Sequence, residues 1–239
     1  MSVGVEEWRV RIDAARHEVE AQVRRVGRDP AEVTIVAVTK TLPPDAVEAA
    51  AVAGLTDVGE NYVQEGRDKR KRCTAVVRWH LIGTLQRNKA ALAAGTFDCV
   101  HSLDSLPVAE ALGAAASARG RSLPVLLQVN TAPDRARHGL EPEDVPALAE
   151  RVLSLPGLLL SGLMAIAPAD ATGEAARAHF RALRELRDRA ATRLGVELPH
   201  LSMGMSEDFA VALEEGATML RLGRMLFGAR GLAAWREGS

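Results

Sequence analysis

A lysine closes a run that is otherwise suited to burial: "TIVAVTKT", residues 34–41, places Lys40 after a string of β-branched and small apolar side chains. A lysine held among apolar walls has its charged form disfavoured, which frees its amine to act as a nucleophile toward aldehydes. The competing use of Lys40 is a stem packed on the protein, with the amine in solvent or paired with Glu60 or Asp104. Near the C-terminal end, "SMGMSED" supplies the hydroxyls of Ser202 and Ser206, with Met203, and Gly204 lets the backbone approach an anion. The helical pattern "EDFAVALEEG" follows, and a helix N-terminus favours negative charge. Capping of that helix by Ser206, with Glu207 and Asp208 in its first turn, is the alternative use of the serine and is compatible with anion binding. "RLGRMLFG" then sets the cation Arg221 beside Gly223.

These residues need a scaffold that brings distant segments to one place. Eight β-rich runs alternate with helical patterns: 34–40, 56–61, 76–83, 97–104, 124–130, 158–168, 200–206 and 219–228. The segments between them, such as "PPDAVEAAAVAG" and "ARAHFRALRELRDRAATRLG", carry apolar residues at helical spacing and end in glycine. Strands apolar on both faces, each followed by a helix, predict a closed parallel (β/α)8 TIM barrel. A doubly wound sheet is less suitable, because "TKTLPPDA" after the first strand has no phosphate-binding glycine. The amphipathic pattern over 1–28 predicts an extra N-terminal helix packed on the barrel, and the whole chain, 1–239, reads as one domain.

Active sites of such barrels form at the C-terminal ends of the strands. There the sequence places Lys40, Asn61, His80, His101, Asn130, Ser202, Ser206 and Arg221, a polar ring around one mouth. An aldehyde-binding amine, a phosphate cradle and a cation across one mouth match the aldehyde, phosphate and ring nitrogen of pyridoxal phosphate. Asn61 is a candidate donor to the phenolic oxygen of that cofactor, with an Asx turn as its plain alternative. His80 is read as a buried hydrogen-bonded histidine or a cofactor contact. Neither it nor His101 has the spacing of a metal ligand set, so no metal is expected.

A formal charge of -1 and a sequence pI near 6.6 create no field for nucleic acid. No apolar stretch has the roughly 20 residues of a membrane span, and the first residues lack a secretory signal. Cys73 and Cys99 have no disulfide or metal spacing, which fits a reducing cytoplasm. The basic run "RDKRKRC", 67–73, reads as a solvated helix face.

"VAVTKT", "GENYVQE", "WHLIGTLQRNK", "HSLDS", "LLQVN", "GLMAIAP" and "LSMGMSEDFAVALEEGATMLRLGRMLFG" together resemble, in order and spacing, the pyridoxal phosphate homeostasis protein (YggS/PROSC) family. The likeness extends from about residue 33 to residue 230. It implies a barrel similar to the N-terminal domain of alanine racemase, with the cofactor held as an imine on Lys40. It also implies phosphate contacts across Ser202, Met203, Gly204 and Ser206 and around Gly223, and Arg221 near the pyridine nitrogen. The segment "TAPDRARHGL" departs from its relatives at Arg137 and His138, which bears on ligand release or partner contact and not on the lysine.

An arginine beside the ring nitrogen weakens the cofactor as an electron sink. A two-base racemase also needs a second acid/base, commonly a tyrosine from an extra β domain. This sequence has a single tyrosine, Tyr62, and lacks that domain. The expected role is therefore storage, buffering or delivery of pyridoxal phosphate, with PLP-dependent apo-enzymes as partners and a monomeric state. A single-domain amino-acid racemase is the alternative, and a Schiff-base aldolase acting on sugar phosphates is a third reading.

Overall fold

The computed structural model describes residues 3–132 and 138–228. Eight parallel strands close into a barrel in chain order: β1 (Thr34–Val38), β2 (Asp57–Glu60), β3 (Arg78–Leu81), β4 (Cys99–Leu103), β5 (Leu123–Gln128), β6 (Leu158–Met164), β7 (His200–Ser202) and β8 (Met219–Leu222). The ring closes where Thr34, Ile35, Val36 and Ala37 of β1 pair with Met219, Leu220, Arg221 and Leu222 of β8. With its outer helices this is the TIM barrel expected from the alternating pattern.

The described helices are α1 (Val3–Arg25), α2 (Asp45–Val52), α3 (Val63–Arg72), α4 (Ala90–Thr96), α5 (Leu106–Ser117), α6 (Val145–Ser154), α7 (Arg177–Leu194), α8 (Phe209–Glu214) and α9 (Arg224–Phe227). Helix α7 stops at Gly195, whose left-handed backbone sends its N–H back to Thr192 O. The helix α1 presents Ile12, Ala15, Val19 and Val23 as one buried stripe and lies against α2, α8 and α9. Trp8 meets Phe227 of α9 edge to face, with ring centroids 5.9 Å apart. Helices α8 and α9 span only 6 and 4 residues, so α1 covers apolar surface on the flank that they leave short.

The strands end earlier than the apolar runs suggest. Lys40 sits in a turn beyond Val38, not on the strand, because the chain bends sharply at Thr41, whose φ is 64°. Residues 224–227, read from sequence as strand, are the helix α9. Gly223 leaves extended backbone there, and its carbonyl accepts the N–H groups of Leu226 and Phe227. Such early exits leave the side chains of the turns at the C-terminal mouth of the barrel, beside the last residues of the strands. The segment 133–137, including Arg137, lies outside the described residues, as does residue 230.

Gly162 on β6 is fixed by close approach. It pairs with His200 of β7, and a Cβ at this position would stand 1.9 Å from His200 O. Gly162→Ala is expected to displace β7, which carries Ser202, and to cost about 1–3 kcal/mol. A urea titration would show this as a lower midpoint with an unchanged slope.

Candidate functional site

Five of the residues singled out from sequence meet at one cavity of about 230 Å³ at the C-terminal mouth of the barrel: Lys40, Asn61, Ser206, Arg221 and Gly223. Val38, Ile82, Ile166 and Met205 give it apolar walls and rim. The loops after β7 and β8 are stitched together across one side. Ser206 Oγ accepts the Met225 N–H at 3.2 Å, so this serine does not cap α8. The side chain of Asp208 takes the local role, accepting the Met205 N–H at 2.5 Å. Gly204 lies in the same turn with φ 91°, and its carbonyl accepts the Arg221 N–H at 3.0 Å. A Cβ there would come within 2.6 Å of Ala212 Cβ, so this glycine serves the packing of the turn on α8.

Arg221 projects from β8 and is buried. Its guanidinium donates to Ser202 Oγ at 2.6 Å and to Ala165 O at 2.8 Å. Burial lowers it to about 10, with Asp208 opposing the shift, so it remains a cation at neutral pH. Behind it a line of contacts crosses the barrel interior. Ser202 Oγ meets His101 Nδ1 at 2.8 Å, His101 Nε2 meets His80 Nδ1 at 2.8 Å, and His80 Nε2 meets Asp57 Oδ1 at 2.7 Å.

The two ends of this line have fixed roles. Arginine can only donate, and an ionised carboxylate can only accept. Ser202 therefore accepts from Arg221, and Asp57 accepts the Nε2–H of His80. Burial, followed by the neighbouring His80 and Arg221, lowers His101 well below its ordinary value, so this ring is neutral. Asp57 falls to about 2, because hydrogen bonds from His80, Arg78 and Thr56 outweigh the burial that would raise it. His80, Cys99 and His101 also have the spacing of a metal ligand set, their ligand atoms all lying within 4.8 Å. The imidazole nitrogens are engaged in the line, and burial pushes the Cys99 thiol up to about 12.

The fold and the mouth can now be set beside known proteins. Residues 10–231 match the family described as alanine racemase, N-terminal domain. The pyridoxal phosphate homeostasis protein of Pseudomonas aeruginosa is 46% identical over 222 residues, covering 92% of this chain and 94% of the relative. This chain belongs to the pyridoxal phosphate homeostasis protein family. The namesake in Escherichia coli is 38% identical, with 90% of this chain and 93% of the relative covered. Among solved structures, PipY of Synechococcus elongatus, determined with PLP bound, is 38% identical with a TM-score of 0.80, covering 89% of this chain and 100% of that one. Alanine racemase of Clostridium difficile is 14% identical with a TM-score of 0.73, a likeness of fold.

Within this homeostasis-family barrel the sequence-derived residues divide in two. His80, Ser202, Met203 and Gly204 do not line the mouth cavity. His80 stands in the interior line with both ring nitrogens taken, and Met203 is fully buried. Tyr62 is 61% exposed at the rim and is not packed against it. Asp57 was missed from sequence, although an acid opening the apolar run "TDVGEN" was its signal. Ser202→Ala would leave Arg221 and His101 Nδ1 without their shared hydroxyl, at a cost of about 1–3 kcal/mol. Calorimetric or urea unfolding would read this as a stability loss with secondary structure retained.

Proposed function

We propose that this protein binds pyridoxal 5'-phosphate in the mouth cavity and serves its homeostasis in the cytoplasm, storing, buffering or delivering the cofactor to PLP-dependent apo-enzymes. The observation that carries this reading is the convergence of Lys40, Arg221 and the stitched loops carrying Ser206 and Gly223 on one cavity. Family membership and the PLP-bound PipY relative support it. When bound, the cofactor supplies an aldehyde able to condense reversibly with an amine, with loss of water, and a ring whose electron-withdrawing strength rises on protonation of its nitrogen.

The protein's own groups fit those demands. Lys40 offers the amine beside the apolar walls of Val38 and Ile82. Ser206 and the backbone around Gly223 form the phosphate corner, where donors from two loops converge. Arg221 would face the ring nitrogen as a donor and keep it unprotonated, which would restrain carbanion chemistry. Asn61 lies on the cavity wall and would donate to the ring's polar edge. Ser202, Met203 and Gly204 act from behind, through Arg221 and the turn that follows β7.

The reading thus predicts capture without turnover. Incubation with PLP followed by borohydride should add the reduced cofactor's mass to the peptide carrying Lys40, and Lys40→Ala should abolish the adduct. Incubation with L-alanine should give no sustained loss of chirality beyond the Lys40→Ala control. A missing adduct would overturn the cofactor reading, and sustained racemisation would replace the carrier with a racemase.

A further inference from the structure

The mouth cavity leaves unused a second set of ions buried beside the Lys40 turn. Lys69 of α3, part of the basic run read from sequence as a solvated face, is wholly buried. Its ammonium donates to Thr39 O at 2.6 Å and to Glu60 Oε1 at 2.8 Å, and pairs with Glu65 Oε1 at 2.7 Å. Three N–H bonds thus have three acceptors. The same carboxylates reach the turn directly. Glu60 Oε1 accepts the Thr39 hydroxyl at 2.6 Å, and Glu65 Oε1 accepts the Thr41 N–H at 2.5 Å.

Thr39 and Thr41 are the two chain neighbours of Lys40, so one ionic cluster grips the backbone on both sides of it. Thr41 is the single non-glycine residue with positive φ among the described residues, a conformation that β-branched side chains rarely adopt. Glu65 holds it there. Stability alone does not account for the cluster, because a buried ion pair is often no better for folding than apolar residues of similar volume. Charge is nevertheless balanced: burial, together with the neighbouring Glu65, raises Glu60 to about 7 against the pull of Lys69 and Thr39, leaving Lys69 and Glu65 as the compensated pair when Glu60 is protonated. Strained backbone at a functional turn is kept only where its surroundings enforce it.

Resting on the reading that Lys40 holds the cofactor, we propose that Lys69, Glu60 and Glu65 form a buried clamp that positions Lys40 for capture by fixing Thr39 and Thr41. None of the three is assigned to touch the ligand. They set where the lysine stem begins, and a displacement of about 1 Å at a reacting group can cost about 100-fold in rate.

The test uses the full-length protein, with capture of PLP followed by absorbance and by borohydride adduct mapping. Glu65→Ala should slow capture by about 10- to 100-fold while leaving a cooperative thermal transition, because Lys69 and Glu60 still balance in charge. Glu65→Gln retains an oxygen for the Thr41 N–H and should restore capture to within a few-fold of wild type. Lys69→Met should lose capture as well, and if it does not fold, the Glu65 pair decides. Folded Glu65→Ala protein that captures PLP at the wild-type rate, with the wild-type absorption band, would overturn the clamp while leaving the cofactor reading intact. Equal loss in Glu65→Gln and Glu65→Ala would also overturn the assigned contact to Thr41. A wild-type protein with no Lys40 adduct would overturn the cofactor reading and the clamp's role together.

Discussion

Arg221 and Asp57 stand at opposite ends of a line of buried hydrogen bonds, one able only to donate and the other only to accept. Ser202, His101 and His80 bridge them with every ring nitrogen engaged. Strands β2, β3, β4, β7 and β8 each contribute one residue, so the line ties together five of the eight strands. A parallel barrel is ordinarily filled with branched apolar side chains. Here Cys99, Leu126, Met164 and Met219 supply a small apolar cluster, and the polar line takes space that would otherwise be dry. A buried polar network is tolerable only when every member is satisfied, since each orphaned group would cost about 1–3 kcal/mol.

The consequence for the mouth is a cation that cannot wander. Arg221 is held by Ser202 and Ala165 O from two directions, and burial lowers its affinity for protons without taking its charge at neutral pH. A freely solvated arginine could turn toward any anion entering the cavity, including a phosphate. Fixed as it is, its free donor capacity has one orientation, and the phosphate-suited loops on the same side of the barrel do not compete for it. Arrangement of the second neighbours therefore decides what the first neighbour can do, a relation familiar from metal sites and equally valid for a charged organic ligand.

Much of this was legible in the sequence, and the failures have physical causes. Alternation of strand and helix patterns gave the barrel, because parallel strands buried on both faces leave near-continuous apolar runs. Lys40, Asn61, Ser206, Arg221 and Gly223 could be placed at one mouth because barrel topology, not local pattern, gathers strand ends. Strand termini were overrun, since an apolar side chain looks the same in the ladder and in the turn beyond it, and only backbone events such as the bend at Thr41 separate the two. Lys69 was misread because neighbouring charges suggested solvent. Its signal was the spacing Glu65 to Lys69, one turn of α3, together with the acid Glu60 at the end of β2. Of the two readings of His80, the buried hydrogen-bonded histidine is the one observed, though its partners across the interior are a three-dimensional relation that no spacing reports.

Two buried ionic assemblies thus flank the cavity, and their difference is instructive. The line behind Arg221 is closed at both ends, so its geometry changes only if a proton or a side chain is removed. The cluster around Lys69 has a carboxylate raised to about 7, with Glu60 Oε2 lacking a hydrogen-bond partner among the described residues, so its charge can change under mild conditions. Arg221 is thus held by side chains of the barrel interior, and the turn that bears Lys40 by an ionic cluster drawn from β2 and α3.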